Sequence, residues 1–286
     1  QHLVKNVELL ACENVEQGVA MASAGLSALH GSFEYISADG SVETLQEALL
    51  RVPNIVSSCG GFDMGVVVGS AAGSPPGPIR VPYNNELLEG GFLKEQLQRW
   101  VDRGIIEADA CSALSHLADR CAIDLSGQHF VCLGAGSEMC PTSTLLNLGA
   151  TVYAVELPRP ESWRRLVRCA AASRGTLIAP LRRSDSDQTA SPRTLSGLAE
   201  EDFCRTAGCD LLTELPEVAA WVCAQAPGQR LCVGSYVYMD GANFVRVALA
   251  ADAVIQAACE ARPDVALSTL SSPTECYAVP KEVFAK

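Results

Sequence analysis

At 286 residues, with 48% hydrophobic and 19% charged side chains, the chain has the composition of a globular protein and the length to bury one large core or two ordinary ones. A formal net charge of −12 argues against nucleic acid or an anionic membrane surface as a main partner. No apolar run is read as approaching the roughly 18 residues of a membrane-spanning helix, so a soluble protein without direct membrane insertion is expected.

Thirteen cysteines raise the question of disulfides or a metal centre, and their spacing answers it. The number is odd, there is no C-x-x-C, and Cys132, Cys223 and Cys232 sit inside apolar runs where cysteine behaves as a small hydrophobe. No histidine is spaced to join the near pair Cys204 and Cys209 in a zinc site. The sequence therefore predicts reduced, buried thiols and no metal. That places the chain in a reducing compartment, the cytoplasm or an organelle interior, and not among secreted proteins.

In chain order, Val15, Val19, Met21, Ala22, Leu26 and Leu29 recur at helical spacing over residues 12–30, and Gly31 stops them. A short strand at 33–36 runs into the turn Ala38-Asp39-Gly40, after which Ser41 is expected to cap a helix that Pro53 closes. Ile55-Val56 and the stretch 65–69 read as strands. Tandem prolines and two glycines make 71–78 a linker. Beyond it come two helices, one carrying Leu93, Leu97, Trp100 and Val101 and the other spanning 107–117. Residues 1–78 are thus an amino-terminal α/β portion, 79–125 a helical connector, and 126–286 a region of alternating strands and helices. The last contains strands at 130–133, 151–155, 176–179, 231–238 and 265–270, helices at 141–148, 160–172, 211–223 and 244–261, and a polar surface loop at 182–200. That alternation predicts a mostly parallel, doubly wound α/β sheet with helices on both faces.

The informative stretch is Phe130 to Glu156. An apolar strand meets Gly134-Ala135-Gly136-Ser137, a helix opens at Pro141, and a second strand ends on Glu156, 22 residues after Gly134. Glycines at such a turn let the backbone approach a ligand, and an acid ending the second strand accepts hydrogen bonds from ribose hydroxyls. The run resembles the start of the G-x-G-x-x-G fingerprint of Rossmann-type NAD(P)-binding domains, with Met139 at the third glycine position and Glu138 in the turn. That resemblance implies NAD or NADP as cofactor, held by Gly134, Ala135, Gly136, Ser137 and Glu156, with Ser271 and Ser272 at the last strand's end. Glu156 favours the 2′-hydroxyl of NAD, while Arg159 would suit a 2′-phosphate. The helix at 141–148 would offer its N-terminus to an anion.

The same run is similar to the first motif of S-adenosylmethionine-dependent methyltransferases, although these usually carry an acid where Cys132 stands. Proton donors are sought at the carboxyl ends of the strands: Tyr236 and Tyr238, read as sharing one strand face, and Asp240. No tyrosine has lysine four residues on, as the Tyr-x-x-x-Lys pair of short-chain reductases requires. Arg246, on an otherwise apolar helix, is expected to be buried against Asp252, Glu156 or a ligand. No G-x-S-x-G, H-E-x-x-H or phosphate-binding loop motif occurs. The expectation is an NAD(P)-dependent oxidoreductase acting on a small-molecule ligand. The alternatives are a methyltransferase, or a non-catalytic Rossmann-like subunit of a homo-oligomer or larger assembly with an apolar patch along Leu93 to Leu117.

Overall fold

The computed structural model describes residues 15–57, 61–70, 77–183 and 193–270. Ser271 and Ser272 lie outside the described residues, as do parts of the linker and of the polar loop. The described chain forms helix α1 (Val15–Ser32), strands β1 (Glu34–Ile36) and β2 (Val42–Thr44), and helices α2 (Leu45–Leu50) and α3 (Val52–Ser57). Next come β3 (Phe62–Val68), the hairpin β4 (Val81–Tyr83) and β5 (Glu86–Leu88), and helices α4 (Gly90–Asp102) and α5 (Ala108–Ala118). Then follow β6 (His129–Leu133), α6 (Thr142–Asn147), β7 (Thr151–Val155), α7 (Pro160–Ala171), β8 (Thr176–Arg182), β9 (Thr194–Ser196) and α8 (Glu200–Thr206). The series ends with α9 (Leu215–Cys223), β10 (Leu231–Ser235), α10 (Ala242–Ala261) and β11 (Ala266–Thr269).

Two compact units are present. One holds the β4–β5 hairpin with α4 and α5. Its core is Leu93, Leu97, Cys111 and Ala118, with Tyr83 set edge-on to Trp100 at 5.2 Å between ring centroids. Leu93 and Leu97 of the stretch 93–117 are 0% exposed and interior to this small unit, whereas Ile105 is exposed.

The other unit carries the seven-stranded sheet, ordered β11-β10-β6-β7-β8-β3-β9. From β11 to β8 neighbouring strands are parallel, whereas β3 runs antiparallel to β8 and β9 parallel to β3. The protein therefore has the mostly parallel α/β sheet expected from sequence, and the architecture is Rossmann-like. Strand β3 comes from before the proline-rich stretch and is part of the main sheet.

Strands buried on both faces read as continuous apolar runs, and β6 and β7 do. Val131, Leu133, Tyr153 and Val155 pack on one side with α9 and α10 residues such as Val218, Trp221 and Val254. Cys132, Val152 and Ala154 pack on the other with Trp163, Leu166 and Ala170 of α7 and Phe203 of α8.

Several local expectations change. Ile55-Val56 lies in α3, not in a strand: Pro53 sets a helical φ near the helix start, and the Ile55 amide donates to the Arg51 carbonyl at 3.0 Å. The first helix cap moves from Ser41 to Thr44, because Val42–Thr44 pairs with β1 before the helix begins. Ser41 is held in the preceding turn, where its amide donates to Asp39 Oδ1 at 2.9 Å.

Thr44 and Glu47 form a reciprocal capping box, the Glu47 amide donating to Thr44 Oγ1 and the Thr44 amide to Glu47 Oε2. Thr44→Ala is expected to cost about 1 kcal/mol, seen as a fall of roughly 2–4 °C in a thermal melt.

Helix α10 also departs from the sequence reading. It is 20 residues long with a mean hydropathy of 1.3, long and apolar enough by those measures to cross a membrane. Seven of its residues, Val247 to Ala258, are buried, as in the core helix of a globular domain.

Candidate functional site

The site follows from strand register. Leu133 of β6 is level with Val155 of β7 and with Ser235 of β10. The next residue on each strand, Gly134, Glu156 and Tyr236, therefore emerges at one edge of the sheet. Here the chain leaves β6 in one direction through α6 to β7 and reaches β10 on the other side. Ligands bind outside the carboxyl ends of open α/β sheets at this kind of switch point. A cavity of about 480 Å³ opens there.

The glycine turn is tightly specified. Gly134 has φ +81°, and a Cβ on it would lie 3.0 Å from the Tyr236 carbonyl carbon and oxygen. The amides of Gly134 and Ala135 both donate to the Val155 carbonyl, at 2.9 and 3.1 Å. Gly136 is needed for a different reason. Its amide donates to Glu156 Oε2 at 2.7 Å, and a Cβ there would stand 2.8 Å from that oxygen. The acid that ends the second strand thus occupies the amide that, in a dinucleotide fingerprint, would face pyrophosphate.

The helix behind the turn is short. It has only six residues, starts at Thr142, and uses the Thr142 hydroxyl to donate to the Ala135 carbonyl at 2.9 Å.

Charges of both signs line the cavity: Glu138, Glu156 and Asp210 against Arg159 and Arg165. Arg165 donates from Nη2 to the Gly136 carbonyl at 3.2 Å, which buttresses the turn from α7. The opposite wall is apolar, with Leu211, Leu212, Val237, Met239 and Val247. Asp210 fixes this wall, accepting the Leu212 amide on Oδ1 at 2.8 Å, while its own amide donates to Glu214 at 2.8 Å.

Of the sequence candidates, Gly134, Gly136, Ser137, Glu156, Tyr236 and Tyr238 line this cavity. Ala135 is buried in the core beneath it. Strand β10 ends at Ser235, so Tyr236 and Tyr238 lie in the segment after the strand and not on a shared strand face. Tyr236 turns towards β11, its hydroxyl 3.3 Å from Ser268 Oγ, and burial pushes its phenol up. Tyr238 is exposed and donates to Asp240 Oδ1 at 3.0 Å, a bond that raises its own pKa. Asp240 acts on the cavity only through that bond.

Arg246 is not buried. It lies exposed on α10, donating to Asn243 Oδ1 at 3.3 Å. Asp252 instead faces His30 at 3.9 Å.

Sequence reasoning missed Ser162, Arg165, Asp210 and the Leu211-Leu212 wall. The available signal was weak: Ser162 and Arg165 share the first turns of the helix after the second strand, but nothing local says which way they face. Below the turn, the neighbouring Cys132 and then Thr142, whose hydroxyl lies 3.1 Å from Cys140 Sγ, draw the Cys140 thiol down. Ten cysteines among the described residues are free thiols. Among the described residues, no group of three or more His, Cys, Asp or Glu side chains is arranged to hold a metal ion. Compared with protein-family models, with curated proteins and with solved structures, the chain finds no match.

Proposed function

We propose that this cavity binds NAD and that the chain is an NAD-dependent oxidoreductase acting on a small molecule. The observation that carries the reading is strand order. With β6, β7 and β8 counted first to third and β10 and β11 fourth and fifth, the sheet runs three, two, one, four, five, the order of dinucleotide-binding folds, and the cavity sits at the reversal. Fold order alone argues by analogy, so the site must carry its share.

Glu156 supplies it. One carboxylate oxygen is fixed by the Gly136 amide, and among the described residues no hydrogen-bond donor meets the other, Oε1, which is left to accept from a ribose hydroxyl. Its charge disfavours a 2′-phosphate and so selects NAD over NADP. Arg159 and Arg165 would face the pyrophosphate in place of backbone amides. The bound cofactor would supply the hydride, and the Tyr238 phenol, at the cavity and hydrogen-bonded to Asp240, would be the proton donor.

A second reading has its own support. S-adenosylmethionine carries no phosphate, so a turn whose Gly136 amide is already occupied and whose mouth holds Glu138 is compatible with it. Titration with NADH and NADPH, followed by nicotinamide fluorescence, separates the two. Saturable binding of NADH, tighter than NADPH, is expected, with no thermal stabilisation by S-adenosylhomocysteine. No nicotinamide binding at millimolar cofactor would remove the first reading, and stabilisation by S-adenosylhomocysteine alone would establish the second.

A further inference from the structure

A second cavity, of about 590 Å³, lies in the same unit between the β1 segment, the start of α9 and the helix α10. Its size is within the range of small-molecule sites, and its lining combines apolar side chains with a few polar and charged ones. Leu45, Leu211, Leu215, Leu249 and Ala250 are all buried and form the interior. The Tyr35 hydroxyl, which would otherwise be a polar point on this wall, donates to the Thr213 carbonyl at 2.6 Å and is spent there.

Two charged side chains also line the cavity, Glu34 and Arg246, both exposed. Among the described residues Arg246 has a single hydrogen bond, from Nη1 to Asn243 Oδ1 at 3.3 Å, and its remaining guanidinium N–H groups meet no acceptor there. A guanidinium with a free fork suits a carboxylate, which it can bind through two parallel hydrogen bonds. A long apolar interior beside such a group suits a hydrocarbon chain or ring.

We infer that this cavity binds a small apolar carboxylic acid, with its hydrocarbon part among Leu45, Leu215 and Leu249 and its carboxylate on Arg246. Glu34, of the ligand's own sign, limits the affinity and disfavours acids with a second negative charge. Leu211 and Leu212 belong to both cavities, so a ligand in one presses on a wall of the other. The inference does not depend on the identity of the ligand in the first cavity.

The test is a fluorescence titration of the full chain with dansyl-undecanoate, competed by decanoate and by decanol. Saturable binding is expected, displaced by decanoate about tenfold more effectively than by decanol. Arg246→Glu, an exposed change with little bearing on folding, should weaken the probe about tenfold, and Glu34→Gln should tighten it. Ser32→Trp, an exposed change at this cavity, should block the probe, whereas Ser162→Trp in the first cavity should not.

Equal competition by decanol together with indifference to Arg246→Glu would overturn the inference. So would blockage by Ser162→Trp alone, or the absence of saturable binding. Each readout is taken without NADH present, so failure here and failure of the cofactor reading are distinguishable.

Discussion

Replacing Asp63 with alanine is expected to cost about 3–5 kcal/mol of folding stability, the usual range when one partner of a buried ion pair is removed. Asp63 sits on β3 and is 2% exposed. Its Oδ1 accepts Arg183 Nε at 3.0 Å and the Arg193 amide at 2.9 Å, while its Oδ2 accepts Arg193 Nε and Nη2 at 3.1 and 2.8 Å. The Arg183 side chain is only 5% exposed and also donates from Nη2 to the Phe62 carbonyl at 3.3 Å, so alanine would take the Asp63 carboxylate away from a guanidinium held in the interior. Arg193 is 49% exposed, and water would compensate most of its loss. The main cost therefore lies with Arg183. Asp63→Asn keeps an acceptor oxygen and should lose less. Urea denaturation of the three proteins tests this, and a loss below about 1 kcal/mol for alanine would defeat the argument.

The same residue makes the effect depend on pH. Burial alone would raise the Asp63 carboxyl, but hydrogen bonds and charge from Arg193, with the charge of Arg183, outweigh it and hold the group below its ordinary value. A carboxyl lowered in the folded state stabilises the fold fully above its unfolded pKa, near 4, and loses that contribution as pH falls through the folded pKa. The gap between wild type and Asp63→Ala should thus be constant at neutral pH and narrow below about pH 4.

Asp63 also shows where sequence reading stops. Part of β3 was legible as a strand, read at 65–69 from its run of valines, as were β6, β7 and β10, but the strand begins earlier, at Phe62. Asp63, just ahead of the stretch read as a strand, gave no hint of its partners, because Arg183 and Arg193 are more than a hundred residues away and meet it through the β3–β8 and β3–β9 pairings.

The site divides in the same way. Gly134, Gly136 and Glu156 were visible because a tight turn and a strand-ending acid are local chemistry. That Glu156 bonds back to Gly136 was not visible, since it depends on the register of β6 against β7. Arg246 was misjudged because an arginine among apolar helix residues reads as buried, whereas its position faces outward on α10. Leu211 and Leu212, read as a helix start, instead form a wall, since Asp210 ties the Leu212 amide into a turn before α9 begins.

Glu156→Gln is expected to relax the choice between NADH and NADPH, and Glu156→Ala to weaken both. In the wild type one side chain does two jobs: it satisfies the Gly136 amide at 2.7 Å and presents a negative charge at the end of β7. Glutamine separates them. Its carbonyl oxygen still accepts from Gly136, so the turn and the melting temperature should be nearly kept, but repulsion of a 2′-phosphate disappears and Arg159 gains influence. The NADH-to-NADPH affinity ratio should fall about tenfold towards unity, roughly 1.4 kcal/mol.

Alanine removes both functions. The Gly136 amide then loses a charge-assisted bond, at a cost of about 1.5–3 kcal/mol, and the turn loosens over the cavity. Cofactor affinity should drop by about ten- to a hundredfold for either nucleotide. Nicotinamide fluorescence titrations on the three proteins measure both ratios. If glutamine leaves the NADH preference untouched while alanine merely destabilises the fold, Glu156 is only a brace for the turn and its assignment to ribose fails.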